Sequence, residues 1–238
     1  EDDYLRYYRK LPKRHYESEP ALQVSGEFLP FDQMGVLKGT LQVTDLKAQC
    51  RKYGVSITKY LAAALLWSVI RTETDGKNLK KPAALNLPVN LRSFFDSETL
   101  ANFFAVVNIS WPKGRAPENF REVLTNVSRQ MDEQIVKERL EETISYNVSN
   151  EKKWYVRAIP LFIKHLAMEL IFLRTSRAHT MTFSNIGPAK IREDLREDVE
   201  DFELLVGASP KQRMKCGAVA YDGKLCLAFT SAMAGNRL

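Results

Sequence analysis

The chain has 238 residues, 45% apolar, 10% aromatic and 27% charged, with a net charge of +6. Such proportions give a globular protein with a packed core and exclude disorder as a description of the whole. Three cysteines (Cys50, Cys216, Cys226) are too few and too scattered for a disulfide framework or a zinc site, and an odd count fits a reducing, cytoplasmic setting. Basic clusters at Arg9, Lys10, Lys13, Arg14 and at Lys77, Lys80, Lys81 are offset by an acidic run from Glu193 to Glu203, and no nucleic-acid-binding signature accompanies them. The opening Glu1-Asp2-Asp3 is the reverse of a signal peptide's positive start. The longest apolar run, Tyr60 to Ile70, is about half of what a membrane span needs. Three Asn-x-Ser triplets, at Asn108, Asn126 and Asn147, would accept glycans only in a secreted chain.

Residues 1–34 are charged, Tyr-rich and broken by Pro12, Pro20 and Pro30, and read as an arm or inter-lobe linker that needs a surface to lie on. Residues 35–238 read as one lobe. Alternation from Gly35 predicts a strand, after which Thr44 or Asp45 caps a short helix through Tyr53, with Gly54 as its C′ residue. Ser56 caps a strong helix from Ile57 to about Thr72, apolar all round and therefore central. Strands are predicted at Ala83–Leu91 and Phe103–Trp111. A long helix follows from about Pro117 to Glu142, then another from Lys153 to Arg174 that Pro160 bends or interrupts. Four strands close the chain, at 179–185, 202–208, 214–221 and 225–231. Asp222-Gly223 marks a two-residue hairpin between the last two. This order predicts an α/β fold: a mixed sheet with helices packed on one face.

An enzyme of this size normally shows a nucleophile, a base or a metal cluster. Only three histidines are present. His15 lies in the charged arm, and His179 opens a strand with no acid nearby. His165 has Glu169 four residues on, one helical turn away, a spacing that a surface stripe also produces. No Gly-x-Ser-x-Gly elbow, Cys-x-x-Cys, His-Glu-x-x-His or phosphate-binding glycine loop occurs.

Three stretches carry a resemblance. Gly54 to Leu66, with Ser56 and Thr58 near the hydroxyl position, resembles the "gvT-x-x-x-x-l-a-A" helix of condensation-domain, wax-ester-synthase and alcohol-acetyltransferase proteins. Leu87-Pro88-Val89-Asn90-Leu91-Arg92, followed by Asn102-Phe103-Phe104, is similar to their "P-V-x-x-R … N-x-f" strand pair. Thr182 to Pro188 resembles their "x-S-N-x-G" strand end. The order and spacing match the C-terminal lobe of this chloramphenicol-acetyltransferase-like superfamily.

The resemblance implies a two-lobed acyltransferase with a tunnel at the lobe interface. In that family a His-His-x-x-x-Asp-Gly motif of the N-terminal lobe supplies the base that deprotonates an alcohol, amine or thiol. The acceptor then attacks an acyl thioester on coenzyme A or a carrier arm. This chain has no adjacent histidines, so catalytic residues are expected elsewhere. No tightly bound cofactor is implied, and no metal site. The substrate-binding residues carried over by position are Ser184, Asn185, Gly187, Arg92 and Asn102. Arg92 and Asn102 have an equally good reading as loop and strand anchors, and Gly187-Pro188 as a plain turn. The partners implied are an N-terminal lobe of the same protein, for which the stretch before Gly54 leaves no room, and a small-molecule acyl acceptor. A lobe of this kind exposes an apolar face, so the chain is expected to form homodimers or aggregate alone. The alternatives are a non-catalytic condensation-like module that recruits a carrier protein or partner, and a stand-alone enzyme using His165 and Glu169.

Overall fold

Ser56 starts the helix on which the fold is built. Its backbone is extended, and its hydroxyl accepts the Lys59 N–H at 3.3 Å, so one of the orphan amides of the first turn is satisfied. The computed structural model describes residues 3–10, 19–30, 32–152, 159–208 and 212–234. The described residues form the α-helices α1 (Asp3–Arg6), α2 (Val43–Tyr53), α3 (Ile57–Thr74), α4 (Phe120–Gln134), α5 (Lys137–Glu151) and α6 (Leu161–Thr175). The strands are β1 (Glu27–Phe28), β2 (Gly35–Gln42), β3 (Ala83–Asn90), β4 (Phe104–Trp111), β5 (Met181–Pro188), β6 (Met214–Tyr221), β7 (Lys224–Ser231) and β8 (Met233–Ala234).

Six strands form one mixed sheet in the order β2-β7-β6-β5-β3-β4, and β1 pairs separately with β8. The β3–β5 and β5–β6 pairs are parallel and the rest antiparallel. Asp222 and Gly223, both at positive φ (44° and 75°), make the tight turn between β6 and β7. Leu85, Leu87, Val107, Ile109, Phe183, Cys216 and Ala218 share the face covered by α3 and α4. There α3 buries Leu61, Ala62, Ala63, Leu65, Leu66, Val69 and Ile70, which is why its apolar residues surround the cylinder.

Three expectations are corrected. The long helix predicted over 117–142 is two helices, broken at Ile135 (φ −93°, ψ 58°): α4 is held to β4 by its carboxamides, and α5 starts afresh at Lys137 to pack on both β4 and α1. Helix α2 begins at Val43, with Gln42 at its N-cap position and no side-chain cap; Thr44 and Asp45 lie inside its first turn. Pro160 does interrupt the helix expected there, standing at the N-cap position of α6; residues 153–158 lie outside the described residues. The strand expected at 202–208 joins no ladder. Its period-2 pattern is real, with Phe202, Leu204, Val206 and Ala208 half-buried between exposed neighbours. The segment lies flat across the bare face of the sheet: Val206 C=O accepts from the Thr230 hydroxyl, and Phe202 packs edge-on to Tyr221.

The outer edge of β4 is covered by α4. Gln130 takes both backbone groups of Ser110, donating to its carbonyl (2.7 Å) and accepting its N–H (3.0 Å). Asn126 donates to the same carbonyl (2.9 Å), and Gln134 donates to Asn108 C=O (3.0 Å). The spacing i, i+4, i+8 puts the three carboxamides in one row on the helix, where they occupy groups another strand could otherwise take.

Candidate functional site

Where the C-terminal ends of β3 and β5 meet the N-terminus of α3, the surface opens into a cleft of about 500 Å³. Its walls are Leu87, Pro88, Val89 and Phe183 from the sheet, with Met131, Ile135 and Val136 from the α4–α5 junction. Ser56, Thr58, Asn90, Ser93 and Asn185 supply hydroxyls and carboxamides, and Lys59 and Asp132 the charges. Lys59 Nζ lies 2.6 Å from Asp132 Oδ1, so this ion pair ties α3 to α4 at the rim. The described lining holds no histidine and no cysteine. The cleft can bind and orient, and it has no side chain suited to shuttling a proton at physiological pH.

Asn185 is the sequence-predicted residue that reaches this cleft. Its carbonyl oxygen accepts the Gly187 N–H at 2.9 Å, which fixes the carboxamide, and its Nδ2 donates to Thr58 Oγ1 at 3.1 Å. Because Thr58 accepts from Asn185, its own O–H is left to donate elsewhere. Asn185 thus ties the end of β5 to the first turn of α3 through Thr58. Gly187 sits at φ +74°, open to glycine without strain, and turns the strand end toward Asn185.

The other three candidates lie away from the lining. Ser184 alternates to the opposite face of β5 from Phe183 and Asn185. Arg92 folds back on its own loop, donating to Thr99 C=O (3.2 and 2.8 Å) and Ala101 C=O, which is the anchoring role. Asn102 is exposed just ahead of the buried Phe103. The Lys59–Asp132 pair had no signal in the sequence, since its members are 73 positions apart.

His165 and Glu169 both lie on exposed turns of α6 and do not line the cleft. His15 lies outside the described residues. His179 is 9% exposed beneath the arm, and burial, helped by the nearby Lys215 charge, lowers its pKa. A histidine with its folded pKa below its unfolded value stabilises fully above the unfolded value, about 6.5, and that stability drains away as pH falls toward the folded pKa. The denaturation midpoint is therefore expected to drop on going from pH 7 to pH 5, and His179→Gln should flatten that drop. An equal slope in both proteins would assign it to other groups. Cys216 is fully buried, which with Cys226 nearby pushes its thiol up to about 12. Cys216 and Cys226 project to opposite faces of the sheet as free thiols.

No family model and no curated protein matches the sequence. Solved structures do match by fold. The epimerization domain of the third module of tyrocidine synthetase B superposes with a TM-score of 0.52 at 13% identity, over 89% of this chain and 46% of that one. A trichothecene 15-O-acetyltransferase from Fusarium sporotrichioides gives 0.55 at 10% identity, over 89% and 45%. The nonribosomal peptide synthetase FmoA3 gives 0.55 at 13% identity, over 88% and 20%. This chain has the chloramphenicol-acetyltransferase-like fold that its motifs resemble, and it spans less than half the length of each of these proteins. Among the described residues no single helix is long and apolar enough to cross a membrane.

Proposed function

We propose that this chain is the C-terminal lobe of an O- or N-acyltransferase of the alcohol-acetyltransferase kind, taking its acyl group from coenzyme A or a carrier arm. The composition of the cleft carries this reading: hydroxyl and carboxamide donors at one end, an apolar wall beyond them, and no proton shuttle. That is what one wall of an acyl-transfer tunnel needs when the base, a His-His-x-x-x-Asp-Gly histidine, stands on the facing lobe. The base takes the proton of a small-molecule alcohol or amine as its oxygen or nitrogen attacks the thioester carbonyl. The C–S bond then breaks, and the same proton goes to the departing thiolate. The Thr58 hydroxyl, oriented by Asn185, donates to the carbonyl oxygen as negative charge builds there.

The test uses the complete protein. Thr58→Val and Asn185→Ala are each expected to lower kcat by roughly 10- to 100-fold, with a smaller change in KM, as for loss of a donor to the transition state. An unchanged kcat in Thr58→Val would remove the role given to this cleft.

One observation favours a second reading, a non-catalytic module that recruits a carrier protein or partner. Helix α6 exposes Leu161, Phe162, Leu166, Met168 and Leu170 by 59–74%, an apolar surface suited to a protein partner. Such a module captures its partner without turnover, whereas the enzyme turns over and loses rate in Thr58→Val.

A further inference from the structure

The two edges of the sheet are treated differently. The outer edge of β4 is occupied by the carboxamides of α4 and by Tyr4, whose hydroxyl bonds both the C=O (2.8 Å) and the N–H (2.9 Å) of Phe104. Among the described residues nothing bonds the outer side of β2. Every residue from Val36 to Gln42 is exposed, and the strand has no proline and no bulge. Its one charge, Lys38, pairs with Glu203. An open, regular edge of this length is a template for another strand.

The backbone phase shows which groups are free. Val43 N–H bonds Gly223 C=O at 2.9 Å, continuing the β2–β7 register. By the alternation of antiparallel ladders, Leu41, Gly39 and Leu37 therefore bond β7, and Val36, Lys38, Thr40 and Gln42 turn their N–H and C=O groups outward.

Gly39 is the second observation. A mid-strand glycine weakens a strand, and often marks close approach of another backbone. Here it has ordinary φ, and a Cβ added to it meets nothing within 4 Å. Packing among the described residues gives no reason for a glycine at this position.

We propose that β2 is the contact of a two-fold dimer, in which β2 pairs antiparallel with β2 of a second copy about an axis through Gly39. The strand's own sequence selects this occupant and this register. With Gly39 facing its symmetry mate, Val36 bonds Gln42 and Lys38 bonds Thr40 across the axis. Leu37, 45% exposed, comes opposite Leu41, 40% exposed, in the closer-spaced non-hydrogen-bonded pair. A one-step slip of the axis to Lys38 sets two lysines against each other and is disfavoured. The contact is isologous and closed, so it ends at two copies.

The experiment is sedimentation of the 238-residue chain over a concentration series. Doubling of mass is expected, and Thr40→Pro should abolish it. The N–H it removes points outward, so the β2–β7 ladder, the circular dichroism and the melting temperature should stay as in wild type. Leu37→Lys should also give monomer, by placing a charge opposite Leu41 of the second copy. A wild-type chain that stays monomeric, or a dimer that survives both substitutions, overturns the proposal. So does a dimer that is lost instead in Phe162→Asp, which would place the contact on α6. None of these readouts involves the cleft or acyl transfer.

Discussion

Gly217→Ala is expected to destabilise the protein by about 3 kcal/mol, near the upper end of what one added methyl in a packed interior costs. A Cβ at this position would lie 2.0 Å from the carbonyl oxygen and 2.9 Å from Cγ of Leu204. The obstacle is backbone, which cannot rotate aside as a side-chain tip can. Either the segment carrying Leu204 lifts off the sheet, or β6 moves within a ladder paired on both sides. For a chain of this size the expected fall in Tm is roughly 6–12 °C. Lifting the segment also strips the Thr230 hydroxyl of Val206 C=O and Lys38 of Glu203, so hydrogen exchange should rise across 202–208. A melting temperature within about 2 °C of wild type would mean that Leu204 is not seated on Gly217 in solution.

Phe103→Ala is the other large expected effect, at about 3–5 kcal/mol. Phe103 is 1% exposed and is the anchor of the N-terminal arm. The Tyr4 ring meets it edge-on at 5.1 Å, Tyr7 stacks at 6.1 Å, and Phe95 closes the cluster at 6.2 Å. Truncation leaves a cavity that the arm cannot fill, since Tyr4 is tied through its hydroxyl to the Phe104 backbone. Denaturant unfolding measures the loss, and trypsin reports the site, because cleavage at Arg6 should accelerate well before global unfolding. Tyr4→Phe, which removes only the hydroxyl bonds, should cost about 1 kcal/mol. If Arg6 is cut equally fast in wild type and Phe103→Ala, the arm is not held by this ring.

These two effects also show where sequence reasoning stops. Local chemistry was legible: the Ser56 cap, Gly54 after α2, the Asp222-Gly223 turn, and the apolar runs of β3 and β4 each depend on residues within a few positions. The break at Ile135 was not. Met131, Ile135 and the residues around them keep helical spacing straight through it, and the contacts that go with it, α4 on β4 and α5 on β4 and α1, are between distant elements. The segment at 202–208 misled for a physical reason. Alternating burial is produced by any extended chain with one face covered, whether or not its backbone enters a ladder. In the cleft, the strand-end motif pointed to Asn185, but its bond to Thr58 joins positions 127 apart. Ser184, adjacent in the same motif, falls on the other face because side chains alternate along a strand.

The row of carboxamides along α4 bears on chemistry outside the cleft. Asn126 begins one of the three Asn-x-Ser triplets, and its side-chain nitrogen, the atom a glycan would occupy, is committed to the Ser110 carbonyl. Asn147, on α5, is exposed. An oligosaccharide transferred to Asn126 would have to arrive before β4 and α4 meet, and once attached it would keep that edge from closing. At this position sugar attachment and folding compete for one nitrogen, so the folded chain protects Asn126 by the same bond that closes its sheet.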